Sequence, residues 1–264
     1  MCGIVGYAGA GGRSAEDELL AGLGRLGGGA GAVGVAAGVA VAADGGLAAV
    51  WDGGGAGSAG ASGGAGRGDA AGSGGGLSGL RGALGRRPVP AGTCGIGQLG
   101  GVPALDGAGR VAVVLAGGLE AGAVARLRAE LRGRGHALGD SGADAEVVAH
   151  LVAEAFSSCG ELVEAVRQVR GALAGEFAVL AVHADEPDTV VGAGGGPPLV
   201  VAAGDGEVRV ASGAGVPGAW GGAGDGAGAG ESVVLGSDQV VLVRREFDEV
   251  RWEITDGRGA VVAP

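Results

Sequence analysis

Of the 264 residues, 66 are Gly, 47% are hydrophobic and only 3% are aromatic, so a core must be built from small and branched side chains. All 18 basic residues are Arg, set against 29 acidic ones for a net charge of −11, which argues against a nucleic-acid partner because phosphate binding needs clustered cations. Cys2, Cys94 and Cys159, with His136, His150 and His183, are too few and too scattered for a disulfide framework or a metal site, and fit a reducing cytoplasm.

In chain order, Cys2 to Ala8 (Cys-Gly-Ile-Val-Gly-Tyr-Ala) reads as a short buried strand. Ser14 opens a helix: it can cap, Glu16, Asp17 and Glu18 suit the positive end of the dipole, and Leu19, Leu20, Leu23 and Leu26 recur at helical spacing. The uncharged run from Leu26 to Ala43 reaches the lower length limit for a spanning helix, but its Gly and Ala content is weakly apolar and poorly helical. A loop followed by a buried strand is expected there instead. No basic leader or signal-cleavage pattern opens the sequence, so a soluble, cytoplasmic protein without a membrane partner is expected. Val33 to Ala42 and Leu47 to Trp51 flank Asp44-Gly45-Gly46 as a hairpin.

Residues 53–76 are nearly all Gly, Ala and Ser and are expected to be mobile, as is the second glycine-rich stretch at 213–230. Leu77, Leu80 and Leu84 suit a short helix, and Thr93 to Gln98 and Val111 to Leu115 suit strands. Three helices follow: Ala121 to Arg134, one starting at Asp144, and Glu161 to Leu173. Asp144 can serve as the N-cap of its helix. Strands are then expected at Phe177–His183, Leu199–Ala202, Val208–Ser212, Val233–Leu235, Val240–Val243 and Val250–Ile254. The order implies an α+β fold with two sheets between helical layers, in one domain over 1–264. Gly192 to Gly196 imitates a phosphate loop, but in a chain one quarter glycine and without Lys such runs arise by chance. Cys94, on a strand, is expected in the core.

Cys2 carries the chemistry of interest. If the initiator Met is removed, the thiol and a free α-amine sit on one residue, and that amine titrates near about 7.7–8.0. Nucleophile and base would then be supplied together.

The opening Met1-Cys-Gly-Ile-Val-Gly-Tyr7 resembles that of the class II glutamine amidotransferases, N-terminal-nucleophile hydrolases with a four-layer αββα sandwich. Leu20 to Leu26, Gly92-Thr-Cys-Gly-Ile-Gly97, the long run Gly109 to Val152, Gly175 to Leu180, Pro198 to Val201 and Val210-Ala-Ser212 extend the likeness in order. Within the group the chain is most similar to the glutaminase domain of glutamine–fructose-6-phosphate aminotransferase. The resemblance implies that Cys2 attacks the glutamine side-chain amide, that the Gly117 N–H forms half of the oxyanion hole, and that Asp144 holds the glutamine α-amino group. It implies no cofactor and no metal. Its partners would be glutamine and a separate synthase or sugar-isomerase chain.

The chain departs from the family at three places. The family's His-Asn-Gly is Leu115-Ala116-Gly117 here, and a chain without Asn cannot supply the missing donor. The His-Thr-Arg-Trp-Ala-Thr-His-Gly loop is reduced to Gln98-Leu99-Gly100-Gly101, which carries no cation to grip a carboxylate. The Arg-Gly-Tyr-Asp-Ser segment is replaced by Gly and Ala around Gly27 to Val33. Two readings stay open: an impaired glutaminase, or a catalytically silent homologue serving as a binding or regulatory module.

Overall fold

The computed structural model describes residues 3–27, 35–43, 46–52, 56–58, 75–139, 143–204, 206–212 and 232–263. Cys2, the turn residues Asp44 and Gly45, residues 28–34 and the stretch 213–230 lie outside the described residues, as does most of 53–76.

The first half runs β1 (Gly3–Gly9), α1 (Ala15–Leu26), β2 (Ala37–Ala43), β3 (Gly46–Trp51), β4 (Ala56–Ser58), α2 (Gly76–Arg86), β5 (Cys94–Leu99), β6 (Ala104–Leu105) and β7 (Val111–Leu119). Three helices follow, α3 (Ala121–Gly133), α4 (Asp144–Cys159) and α5 (Leu162–Ala172). The remainder is β8 (Gly175–His183), β9 (Glu186–Gly194), β10 (Leu199–Gly204), β11 (Glu207–Ser212), β12 (Ser232–Val234), β13 (Val240–Glu246), β14 (Glu249–Thr255) and β15 (Val261–Ala263).

These strands form two sheets, ordered β12-β10-β11-β1-β5-β2-β3-β4 and β15-β14-β13-β9-β8-β7-β6. Period-two alternation on β1 explains the layering. Ile4 and Ala8 point into a core shared with Val114, Ala116, Leu180, Val190 and Val241 of the second sheet. Val5 and Tyr7 point outward, against Leu19, Leu23 and Leu80 of α1 and α2. On the far side, Val113, Leu115 and Val179 pack against Val148, Val152, Leu162 and Val166 of α4 and α5. The result is the expected α+β, four-layer αββα sandwich.

Local chemistry agrees with the sequence at α1, where the Ser14 hydroxyl accepts the Asp17 N–H at 3.1 Å and Glu16, Asp17 and Glu18 fill the first turn. The β2–β3 hairpin pairs Ala43 with Gly46. Cys94 is fully buried, and burial pushes its thiol up to about 12, leaving an inert core residue. Among the described residues no helix is long and apolar enough to cross a membrane.

The structure corrects the sequence reading in four respects. Strand β9 was not expected, yet it lies between β8 and β13 inside the second sheet. Its Gly192 is a packing residue: a Cβ there would meet Leu180 at 2.8 Å and both Leu199 and Val241 at 3.0 Å. The short strands β4, β6 and β15 were also unforeseen, so the expected loop at 53–76 contains a strand at 56–58. Strand β7 runs four residues past Leu115. Finally, Asp144 does not cap α4; Ala143 occupies the N-cap and Asp144 begins the helix proper.

Candidate active site

The C-terminal end of β7 carries Gly117 and is bonded by Asp144, two of the three expected site residues. Ala116 turns its methyl into the core between the sheets and is 2% exposed. Gly117 follows with φ of +87°, a left-handed conformation that glycine adopts without penalty. It is opposite Phe177 in the ladder, and a Cβ at 117 would collide with the carbonyl oxygen of Glu176. Glycine is therefore required here twice over, by backbone angle and by space.

Two residues further on, the Leu119 N–H donates to the Asp144 carboxylate at 3.1 Å. This bond explains why Asp144 is not a cap: its carboxylate reaches across to the end of β7 instead of back onto its own helix. Its negative charge still lies at the favourable end of the α4 dipole. The approach to Asp144 is held by residues the sequence did not single out. Arg128 of α3 donates to the Ala143 carbonyl at 3.0 Å and pairs with Glu146 at 3.2 Å, while Glu146 accepts the Gly139 N–H at 2.6 Å. Only tertiary packing brings α3 against α4, so no local pattern could have revealed this brace.

Gly3, the sequence neighbour of Cys2, opens β1 between β5 and β11, and β1 faces β7 across the inter-sheet core. Asp144 thus bonds to β7 two residues beyond Gly117, while Cys2 itself lies outside the described residues. Gln98 and Leu99 end β5, and the Gly100 N–H donates to Ala36 O at 2.8 Å, extending the β5–β2 pairing by one bond. Among the described residues no group of three or more His, Cys, Asp or Glu could hold a metal ion.

Burial lowers the pKa of two histidines, His150 and His183. His150 of α4 is buried, and its Nδ1 lies 3.0 Å from Nδ1 of His136. Burial and then His136 lower its pKa, against weaker opposing effects of Asp106 and Glu146. His183 is lowered chiefly by burial; it stacks on Phe156, and its Nδ1 accepts the Asp185 N–H at 2.9 Å. With the folded pKa below the unfolded value of about 6.5, the unfolded chain binds more protons as pH falls through that value. The stabilisation is therefore present above about pH 6.5 and is lost on acidification toward the lower folded pKa. Thermal unfolding followed from pH 7.5 to 5.5 should show a falling Tm, and His183→Gln should flatten that slope; an equal slope in both proteins would refute it.

Comparison with known proteins defines the class. No family model matches the chain. By fold it is similar to the allosteric regulatory enzyme of purine biosynthesis (TM-score 0.66, 17% identity, 96% of this chain and 48% of that one). It is equally similar to glutamine phosphoribosylpyrophosphate amidotransferase from B. subtilis (TM-score 0.64, 18% identity, 96% and 49%). The fold is that of the N-terminal-nucleophile glutamine amidotransferases.

In sequence the chain is 44% identical over 274 aligned positions to glutamine–fructose-6-phosphate aminotransferase [isomerizing] of Streptomyces coelicolor. The match takes in 99% of this chain but 38% of that protein, so the chain spans about two fifths of its relative's length. It belongs to the class II glutamine amidotransferase family.

Proposed function

We propose that the chain is a glutaminase-type domain that releases ammonia from glutamine at a reduced rate, with Cys2 as nucleophile. The observation that carries this reading is the end of β7, where a left-handed Gly117 stands two residues from a main-chain N–H bound by Asp144, in a chain so similar to an aminotransferase that uses glutamine.

In the proposed mechanism the Cys2 α-amine takes the thiol proton, and the thiolate attacks the side-chain carbonyl carbon of glutamine. The Gly117 N–H donates to the oxyanion of the tetrahedral intermediate. The C–N bond then breaks, the α-amine hands its proton to the departing nitrogen, and ammonia leaves a thioester. Water attacks that thioester, releasing glutamate and restoring the thiol. Asp144 pairs with the substrate α-ammonium, its other bond to Leu119 fixing the carboxylate. One missing oxyanion donor costs about 10²–10³ in rate, which is why the reading is of a slow enzyme. Transfer of the ammonia to a sugar phosphate would need a synthase or sugar-isomerase unit beyond the residues present here.

A second reading, a silent binding or regulatory module, is favoured by Ala116, whose methyl is sealed in the core, and by the cation-free Gln98–Gly101 segment. Ammonia release from glutamine by the protein and by Cys2→Ala, with intact mass to establish whether Met1 is removed, separates the two. Release well above the Cys2→Ala background is expected; equal rates, or a retained Met1, would remove the enzyme reading.

A further inference from the structure

We propose that Gln98 is a positioning residue for the Gly117 peptide, its carboxamide tying the sheet that carries β1 to the main chain of β7. The inference rests on the glutaminase reading above for its catalytic meaning, though not for its geometry. Gln98 is a 6%-exposed polar side chain near the end of β5, paired across the strands with Ile4 and Gly38. A buried carboxamide is costly unless it is bonded, and here Nε2 donates to the Leu115 carbonyl oxygen at 2.7 Å. Leu115 belongs to the opposite sheet, so this single bond crosses the interior of the sandwich beside the expected oxyanion donor.

The placement along β7 gives the bond its consequence. The two side-chain tethers on β7 fall at Leu115 and at Leu119, one on either side of Gly117. Gln98 holds the first of these through its carbonyl, and Asp144 holds the second through its N–H. Gly117 lies midway between the two tethers. A glycine in a left-handed conformation is the residue most free to reorient its peptide, and two side chains from different layers bracket it.

A second observation shows that the chain after β5 packs closely on this carboxamide. A Cβ at Gly101 would lie 2.6 Å from Gln98 Nε2 and 2.9 Å from its Cδ, although the backbone of Gly101 is not left-handed and would accept alanine. An alanine there would force the Gln98 carboxamide to shift away from the position in which it bonds Leu115. A carboxylate at 98 could not donate to Leu115, and a hydrocarbon could not bond at all.

The experiment uses the full chain with Gln98→Leu, Gln98→Glu, Gly101→Ala, Gln98→Ala and the double variant Gln98→Ala/Gly101→Ala. The first three should lower kcat for Cys2-dependent ammonia release on the order of tenfold, with KM nearly unchanged. They should also move the Gly117 amide resonance, and the scalar coupling across the Nε2–Leu115 hydrogen bond should vanish in Gln98→Leu. In the double variant Gly101→Ala should add nothing to Gln98→Ala. An unmoved Gly117 resonance, or independent and additive penalties for the two sites, would overturn the proposal. If the parent protein shows no Cys2-dependent release, the glutaminase reading fails, and the Gly117 resonance alone still decides whether Gln98 positions that peptide.

Discussion

Replacing Gly117 by alanine is expected to destabilise the protein by more than about 2 kcal/mol. Holding a non-glycine residue in the left-handed region costs roughly 1–2 kcal/mol by itself. Here the added methyl also meets the Glu176 carbonyl and, at 3.1 Å, the Phe177 Cα. Both are main-chain atoms of β8, locked in register with β7 from Val111–His183 to Leu119–Gly175, so neither can retreat as a flexible side chain would. Relief would require the end of β7 to peel away, taking with it the Leu119 N–H that Asp144 holds. Urea unfolding of Gly117→Ala beside Gly118→Ala is the appropriate measurement, because a Cβ at 118 meets nothing within 4 Å. A large loss at 117 and a small one at 118 is the expected pattern; equal midpoints would contradict the account of this strand end.

Ala116→Asn is expected to raise Cys2-dependent ammonia release by about 10²–10³, the amount that one oxyanion donor contributes. The added amide enters the inter-sheet core, where an imperfectly bonded polar group costs about 1–3 kcal/mol. Ala116 faces Ala178 across the strands, and that methyl-sized neighbour leaves room on that side. The variant should therefore fold with a lower Tm and a higher kcat. A folded Ala116→Asn that releases no more ammonia than its Cys2→Ala derivative would remove the slow-enzyme reading and leave the silent module.

The sequence was most legible where periodicity and capping act locally. The leucines of α1 and the Ser14 cap were apparent because their spacing and hydrogen bond lie within one helical turn. Strand β9 was not apparent. It opens Glu-Pro-Asp and carries Gly192 and Gly194, all poor strand formers, and its place is set by β8 and β13 on either side rather than by its own preferences. At the candidate site, Gly117 and Asp144 came from family likeness. Their connection through Leu119, the brace from Arg128 and the reach of Gln98 to Leu115 join residues distant in sequence and depend on how the layers stack.

The location of β1 within its sheet has a consequence for how this protein breathes. Pairing on one side runs from Ile4–Ser212 to Gly9–Glu207, and on the other from Gly3–Leu99 to Ala8–Cys94. Residues hemmed in by two ladders cannot leave the sheet singly. Exchange of the Ile4 to Ala8 amides is expected to need one or both of these ladders to open, so the strand that follows Cys2 should show slow exchange.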